Sequence, residues 1–216
     1  MIQIHSIQIG SIVTEGVAES NDITNRLWTS AFNKSPPVTG FVQVGKLGII
    51  GDQVADKIAH GGPDKAILCY AASHYATWAI EHPELDMSIG GGLGENLTLS
   101  GVDESSVCIG DVYCVGECRL QVSQPRQPCW KIARRWGVKT LTKEVAQSGR
   151  TGWYVRVLDD GSIAAGDELK LTSRPHEDWT IKRANDVLFR RDRDEAAKRQ
   201  LLDLPELADA WKHDVA

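Results

Sequence analysis

The sequence has no apolar run near the length that crosses a bilayer as a helix. Its start, MIQIHSIQIGSIVTEG, lacks a basic stretch followed by a long apolar one, so no secretory leader is expected. Basic residues do not predominate: 24 Lys and Arg stand against 29 Asp and Glu, a net charge of −5. A broad nucleic-acid footprint needs the opposite balance. Five cysteines, an odd number without the spacing of a disulfide scaffold, point to reduced thiols and a cytoplasmic protein. Cys108, Cys114 and Cys118 form no Cys-x-x-Cys pair and have no histidine nearby, which argues against structural zinc. Cys108 and Cys114 share strand parity and suit core positions. No Walker loop, dinucleotide fingerprint or iron–sulfur cysteine pattern occurs. There is no internal repeat and no low-complexity segment. What is present is an ordinary globular composition, 42% hydrophobic and 25% charged over 216 residues. That length suits one domain plus a small appendage and can bury a full core.

Residues 1–173 read as mainly β with some α. IQIHSIQIG and VTGFVQVG alternate, AILCY is a short buried-strand run, and LTLSG, VCIGDVYCVG and CRLQVSQ are short strands with glycine punctuation. WYVRVLDDGSI is a strand entering an Asp-Gly turn, and GDELKLTS is a closing strand. Three helices interrupt them. SHYATWAIEH is capped by Ser73. PCWKIARRWG runs from Pro128 to a stop at Gly137, and TLTKEVAQSG follows. Many short strands with few helices predict a curled sheet or barrel. Residues 174–216 carry no strand signal. They read as a three-helix module: one helix capped by Asp178, a second capped by Asp194, and a third starting at Pro205 with Leu207 and Trp211 on one face. From Pro175 to Ala216 there are 8 Lys and Arg against 10 Asp and Glu, a net of −2, so the module is not expected to track nucleic acid.

Three stretches stand out chemically. In SQPRQPCW, a helix beginning at Pro128 would put Cys129 in its first turn, with unpaired backbone N–H groups and Arg126 close by. Both favour a thiolate, the form that attacks or binds a soft metal. A buried core cysteine explains the residue equally well. AHGGPDKAIL packs turn-formers beside His60, a side chain that exchanges protons near neutral pH. GGGLGENLTL lets backbone approach a ligand and places Asn96, both donor and acceptor, at a strand entrance. Taken singly, the last two fit a turn and a surface loop.

Together and in this order, GDQVADKIAHGGPDKAILCY, GENLTLSGVDESSVCIGDVY, LQVSQPRQPCWKI and TGWYVRVLDDGSIAAGDELKL closely resemble the MOSC domain, the C-terminal domain of molybdenum-cofactor sulfurases. The tail resembles the three-helix extension of its YiiM-like branch. The resemblance implies a MOSC-type β-barrel over residues 1–173, a helical module over 174–216, and a bound molybdenum cofactor (molybdopterin). Cys129 would be the protein ligand to the metal, at the barrel mouth. It also implies an oxidoreductase that reduces N-hydroxylated substrates such as 6-hydroxylaminopurine and related base analogues. A non-catalytic carrier of cofactor or sulfur through Cys129 is the alternative. No pyridoxal phosphate is expected, because the sulfurases bind it in a separate domain.

His60 is the candidate proton donor. Lys34 and Ser35 match a Lys-Ser/Thr pair that would hold the pterin phosphate. Asn96 matches a pocket residue, Gly94 and Glu95 would shape its loop, and Arg126 adds charge. Many MOSC proteins have Asp-Arg where this chain has Asp52-Gln53, so one expected arginine is absent. Lys57, Arg126 and Lys131 are left as substitutes. The implied partners are a small N-hydroxylated molecule and a flavoprotein electron donor, with a homodimer as an option and neither nucleic acid nor membrane.

Overall fold

The structure, a computed structural model, describes every residue except 23, 35, 36, 58, 59, 88, 89, 190 and 216. The chain begins with β1 (Ile2–Ile7), β2 (Val13–Glu15), β3 (Trp28–Ser30), β4 (Phe41–Gly45), β5 (Gly48–Ile49), a 3₁₀ turn (Pro63–Lys65), β6 (Ile67–Ala71), α1 (Ser73–Glu81) and β7 (Leu97–Ser100). It continues with β8 (Val112–Val115), β9 (Cys118–Pro125), α2 (Lys131–Trp136), α3 (Leu141–Ser148), β10 (Trp153–Asp159), β11 (Gly161–Ala164) and β12 (Glu168–Ser173). Three helices end it: α4 (Ile181–Leu188), α5 (Glu195–Leu202) and α6 (Asp209–Val215).

Seven strands close a barrel in the order β1-β12-β8-β9-β10-β6-β7. Neighbours are antiparallel except β6 and β7, which run parallel across the α1 crossover. The two-residue period sets which side chains enter. Trp153, Val155 and Val157 of β10 point inward, with Leu120 and Val122 of β9 paired to Val157 and Val155. β6 is buried on both faces. Its inner side chains join the barrel core, while Tyr70 on the outside joins Trp78, Leu93, Ile132, Leu141 and Val145 under α1, α2 and α3. This doubly covered strand is why AILCY reads as a continuous apolar run rather than an alternating one.

Several boundaries depart from expectation. β11 does not fold back on β10 after Asp160; it pairs with β4 in a small outer sheet. The β2–β3 pair is a further two-stranded arm. Ser73 makes no cap hydrogen bond to α1. Cys108 is buried in a loop and Cys114 is half-buried on β8.

The apolar faces of the C-terminal helices, including Trp179, Ile181, Leu201 and Trp211, share one core with the barrel. Asn185 on α4 is fully buried and donates to Thr151 Oγ1 at 2.8 Å. Thr180, not Asp178, caps α4 by accepting the Arg183 N–H at 3.1 Å, and Asp194 caps α5 as expected. The third helix starts at Asp209 rather than Pro205. The N–H of Ala208 donates to Ser123 O on β9 (3.0 Å), so the turn at Pro205 is spent docking the module before helix begins.

Because the core is shared, damage in the tail should reach the barrel. Trp211 is 1% exposed, and Trp211→Ala should cost about 3–5 kcal/mol. Urea unfolding followed by far-ultraviolet circular dichroism should show one transition moved to lower urea. Two separate transitions would show that the module and the barrel unfold independently.

Candidate functional site

The cross-strand pair Tyr154–Leu68 faces outward from β10 and β6, opposite Trp153 and Cys69 in the core. Above it lies a cleft open to solvent, with room of about 90 Å³ for the centres of water-sized molecules. It therefore sits against the outer barrel wall, not at the barrel mouth. Four loops surround it: the one after β3, the one after β5, the one entering β7 and the one leaving β9. These carry Lys34, His60, Gly94, Asn96, Arg126 and Cys129, all of which line the cleft. Ser35 lies outside the described residues.

Glu95 does not face the cleft. It is fully buried and accepts hydrogen bonds from the N–H groups of Gly91 (2.7 Å) and Leu93 (3.1 Å), from Thr98 Oγ1 (3.0 Å) and from the Tyr75 hydroxyl. It ties the glycine-rich loop from behind. Gly94 holds φ +83°, and a side chain there would strike the Phe32 ring at 2.6 Å. Glycine is what allows loop and ring to form one wall.

Asp52 is the polar centre of the floor. Its Oδ1 accepts from Lys34 Nζ and from the Gly10 N–H, both at 2.6 Å, and its Oδ2 accepts from Asn96 Nδ2 at 2.9 Å. Asn96 spends its other side-chain atom on the Leu68 N–H (3.1 Å), which fixes the amide's orientation. Gln53 stands where the resemblance expects an arginine. It lines the cleft, and its Oε1 accepts from the Ile12 N–H at 2.7 Å.

Arg126 is 3% exposed. Its guanidinium donates to Leu93 O (2.9 Å) and Thr151 O (3.5 Å) and lies 6.0 Å from the centre of the Phe32 ring. Lys57 is exposed and is not part of the lining. Lys65 and Lys131 are.

The helix after Cys129 begins at Lys131, three residues later than expected. The entry is a tight turn in which the Ile132 N–H donates to Cys129 O, three residues back; the regular ladder begins with the Arg134 N–H on Trp130 O, so Pro128 remains outside the helix. Cys129 is half-buried, and its carbonyl accepts from Ile132 N–H and Thr142 Oγ1, both at 3.1 Å. Among the described residues no three His, Cys, Asp or Glu side chains gather as a metal site. A metal at Cys129 would take its remaining donors from a bound molecule.

His60 is held in neutral form. Burial, then the positive charges of Lys131, Lys65 and Arg126, against the opposing pull of Asp56, bring its pKa down to about 4. It is therefore an N–H donor, not an imidazolium, at neutral pH. Sequence reasoning did not single out Phe32, Lys65 or Tyr154, and treated Asp52 only as part of a departure from pattern.

The family model described as MOSC domain matches residues 56–170, and that described as YiiM-like, 3-alpha helix domain matches residues 179–214. Protein YiiM of Escherichia coli is 35% identical over 175 residues, covering 81% of this chain and 78% of that one. A protein named Reductase from Gibberella moniliformis is 38% identical over 143 residues, which is 65% of this chain and 25% of the longer relative. The crystal structure of YiiM from Geobacillus stearothermophilus superposes with a TM-score of 0.81 at 34% identity, covering both chains fully. Among the described residues no helix is long and apolar enough to cross a membrane.

The neutral His60 has a consequence for stability. Its folded pKa of about 4 lies below the ordinary value of 6.5, so between these pH values the unfolded chain takes up a proton that the folded chain refuses. Stability from this group is complete above 6.5 and is lost as pH falls toward 4. Urea midpoints measured across that window should fall less steeply for His60→Gln than for the wild type. Parallel curves would mean that His60 titrates normally.

Proposed function

We propose that this chain, which belongs to the MOSC domain family and carries the YiiM-like three-helix extension, binds a molybdenum cofactor and reduces N-hydroxylated compounds. The observation that carries the reading is the cleft itself. One half-buried thiol, Cys129, shares it with Lys65, Arg126 and Lys131 against Asp56, while Lys34 and Asp52 neutralise each other in its floor. The residues fit the group: a soft sulfur donor for the metal and an excess of positive charge for an anionic pterin. The relative named Reductase and the family's association with this cofactor support the same reading.

When bound, the cofactor supplies the two electrons that loss of oxygen from an N–OH group requires. The chain's own residues do the rest. Cys129 offers its sulfur. Gly94 and Phe32 form a wall that keeps water from one side. His60 presents a neutral imidazole N–H, and Tyr154, whose hydroxyl burial holds protonated, lines the same space. The substrate N–OH consumes two electrons and two protons and leaves as amine and water. These groups hold and pass protons, and a flavoprotein partner returns the electrons. Base analogues such as 6-hydroxylaminopurine are the proposed substrates.

Protein made in cells that synthesise the cofactor should retain molybdenum, and Cys129→Ser should lower that content more than about tenfold. Equal metal in both proteins would refute the ligand assignment. The loaded wild type should turn over 6-hydroxylaminopurine with reduced viologen as donor. Loaded protein without turnover would instead support a carrier.

A further inference from the structure

We infer that Lys131, rather than Lys34, holds the phosphate monoester of the bound molecule. The inference rests on the reading of this cleft as a cofactor site and names the residue that anchors its anion. Every other basic side chain considered for that role is engaged or misplaced. Lys34 is 6% exposed and paired with Asp52 at 2.6 Å. The second oxygen of Asp52 is taken by Asn96, so the ammonium and carboxylate are locked face to face. Lys57 is exposed and outside the lining. Arg126 directs its N–H groups to the carbonyls of Leu93 and Thr151. Lys65 lines the cleft and has interactions of its own.

Lys131 differs. It is 8% exposed, lines the cleft, and makes no hydrogen bond or ion pair with any described residue. Its stem is packed away, but the ammonium is not sealed from water, so it reaches the open cleft and can meet an anion there. Its charge is felt by its neighbour: after burial, Lys131 is the largest influence holding His60 neutral. A dianionic phosphate would supply the missing partner.

The local backbone puts this anchor beside the candidate metal ligand. Cys129 and Lys131 both line the cleft, while Trp130 between them is 56% exposed and its ring packs on Trp28 at 5.5 Å. Two residues apart, their Cα atoms can be at most about 7 Å from each other. One bound molecule carrying a metal and a phosphate could thus meet both side chains. Lys34, Asp52 and Asn96 then serve as a rigid, internally neutralised floor.

The test uses the full-length chain without cofactor and inorganic phosphate as the probe, with binding measured by calorimetry. Three variants are compared: Lys131→Gln, Lys131→Arg, and the double variant Lys34→Gln with Asp52→Asn, which removes the buried pair without leaving a lone charge. The wild type should bind phosphate, and Lys131→Gln should weaken binding more than about tenfold. Lys131→Arg should retain it, and the double variant should stay within about threefold of the wild type. Thermal midpoints identify any variant that fails to fold, in which case the arginine variant against the wild type decides. Wild-type protein that does not bind phosphate, unchanged binding by Lys131→Gln, or loss in the double variant would each overturn the assignment. Molybdenum content separates this from the cofactor reading. Phosphate binding that depends on Lys131 in a protein that never acquires molybdenum would sustain the anion site and refute the cofactor.

Discussion

The Asp52 carboxylate accepts from the backbone of Gly10, from the ammonium of Lys34 and from the amide of Asn96, and the floor of the cleft depends on that convergence. Asn96 in turn holds the Leu68 N–H with its side chain, and its own backbone pairs with Leu68 and Gln8. One carboxylate thus links the exit of β1, the loop after β3 and the parallel β6–β7 seam. A half-satisfied network of this kind would be worse than an apolar floor, because each orphaned group would be buried without water. Here all three donors are met. With Lys34 neutralised in the floor, the positive potential of the cleft comes from Arg126, Lys65 and Lys131.

That potential is local. The whole chain carries a net charge of −5, yet the cleft concentrates cations around a single thiol. Burial first, and then the same charges that would attract a phosphorylated pterin, hold His60 neutral, so the affinity for an anion and the protonation state of the proposed proton donor are partly coupled. An anion bound near Lys131 would relieve part of that field. The five free cysteines divide along the same lines. Burial pushes the Cys69 thiol up and that of Cys118 up to about 11, which leaves them inert fillers of the core. Cys129 is half-buried beside the basic groups.

Much of the barrel was legible because alternation survives in β1, β4 and β10, and because glycines punctuate the strands between. The third helix of the tail was placed too early for a tertiary reason: Ala208 gives its N–H to the barrel, and no local pattern encodes that. The partner of β11 was equally invisible, since a strand after an Asp-Gly turn looks the same whether it returns to β10 or leaves for β4. Cys129, His60, Asn96 and Arg126 were legible as motifs, and they do line one cleft. In the loop entering β7, Asn96 is turned to the cleft by Leu68 and Asp52, while Glu95 is held behind it by the amides of Gly91 and Leu93. Periodicity separates the two faces of a strand without naming which is inside, so the cleft was placed at the mouth rather than on the outer wall. The pairing of Asp52, and the lack of a partner for Lys131 among the described residues, are facts about which charges meet across long loops, and spacing carries no signal for them.

The central claim is that the sulfur of Cys129 binds molybdenum inside this cationic cleft. It is tested most directly by placing selenocysteine at position 129 alone and recording X-ray absorption at the molybdenum edge of cofactor-loaded protein. The account predicts a selenium neighbour bonded to molybdenum that is absent from the wild type. A loaded protein whose molybdenum environment is unchanged by selenium at this position would contradict it.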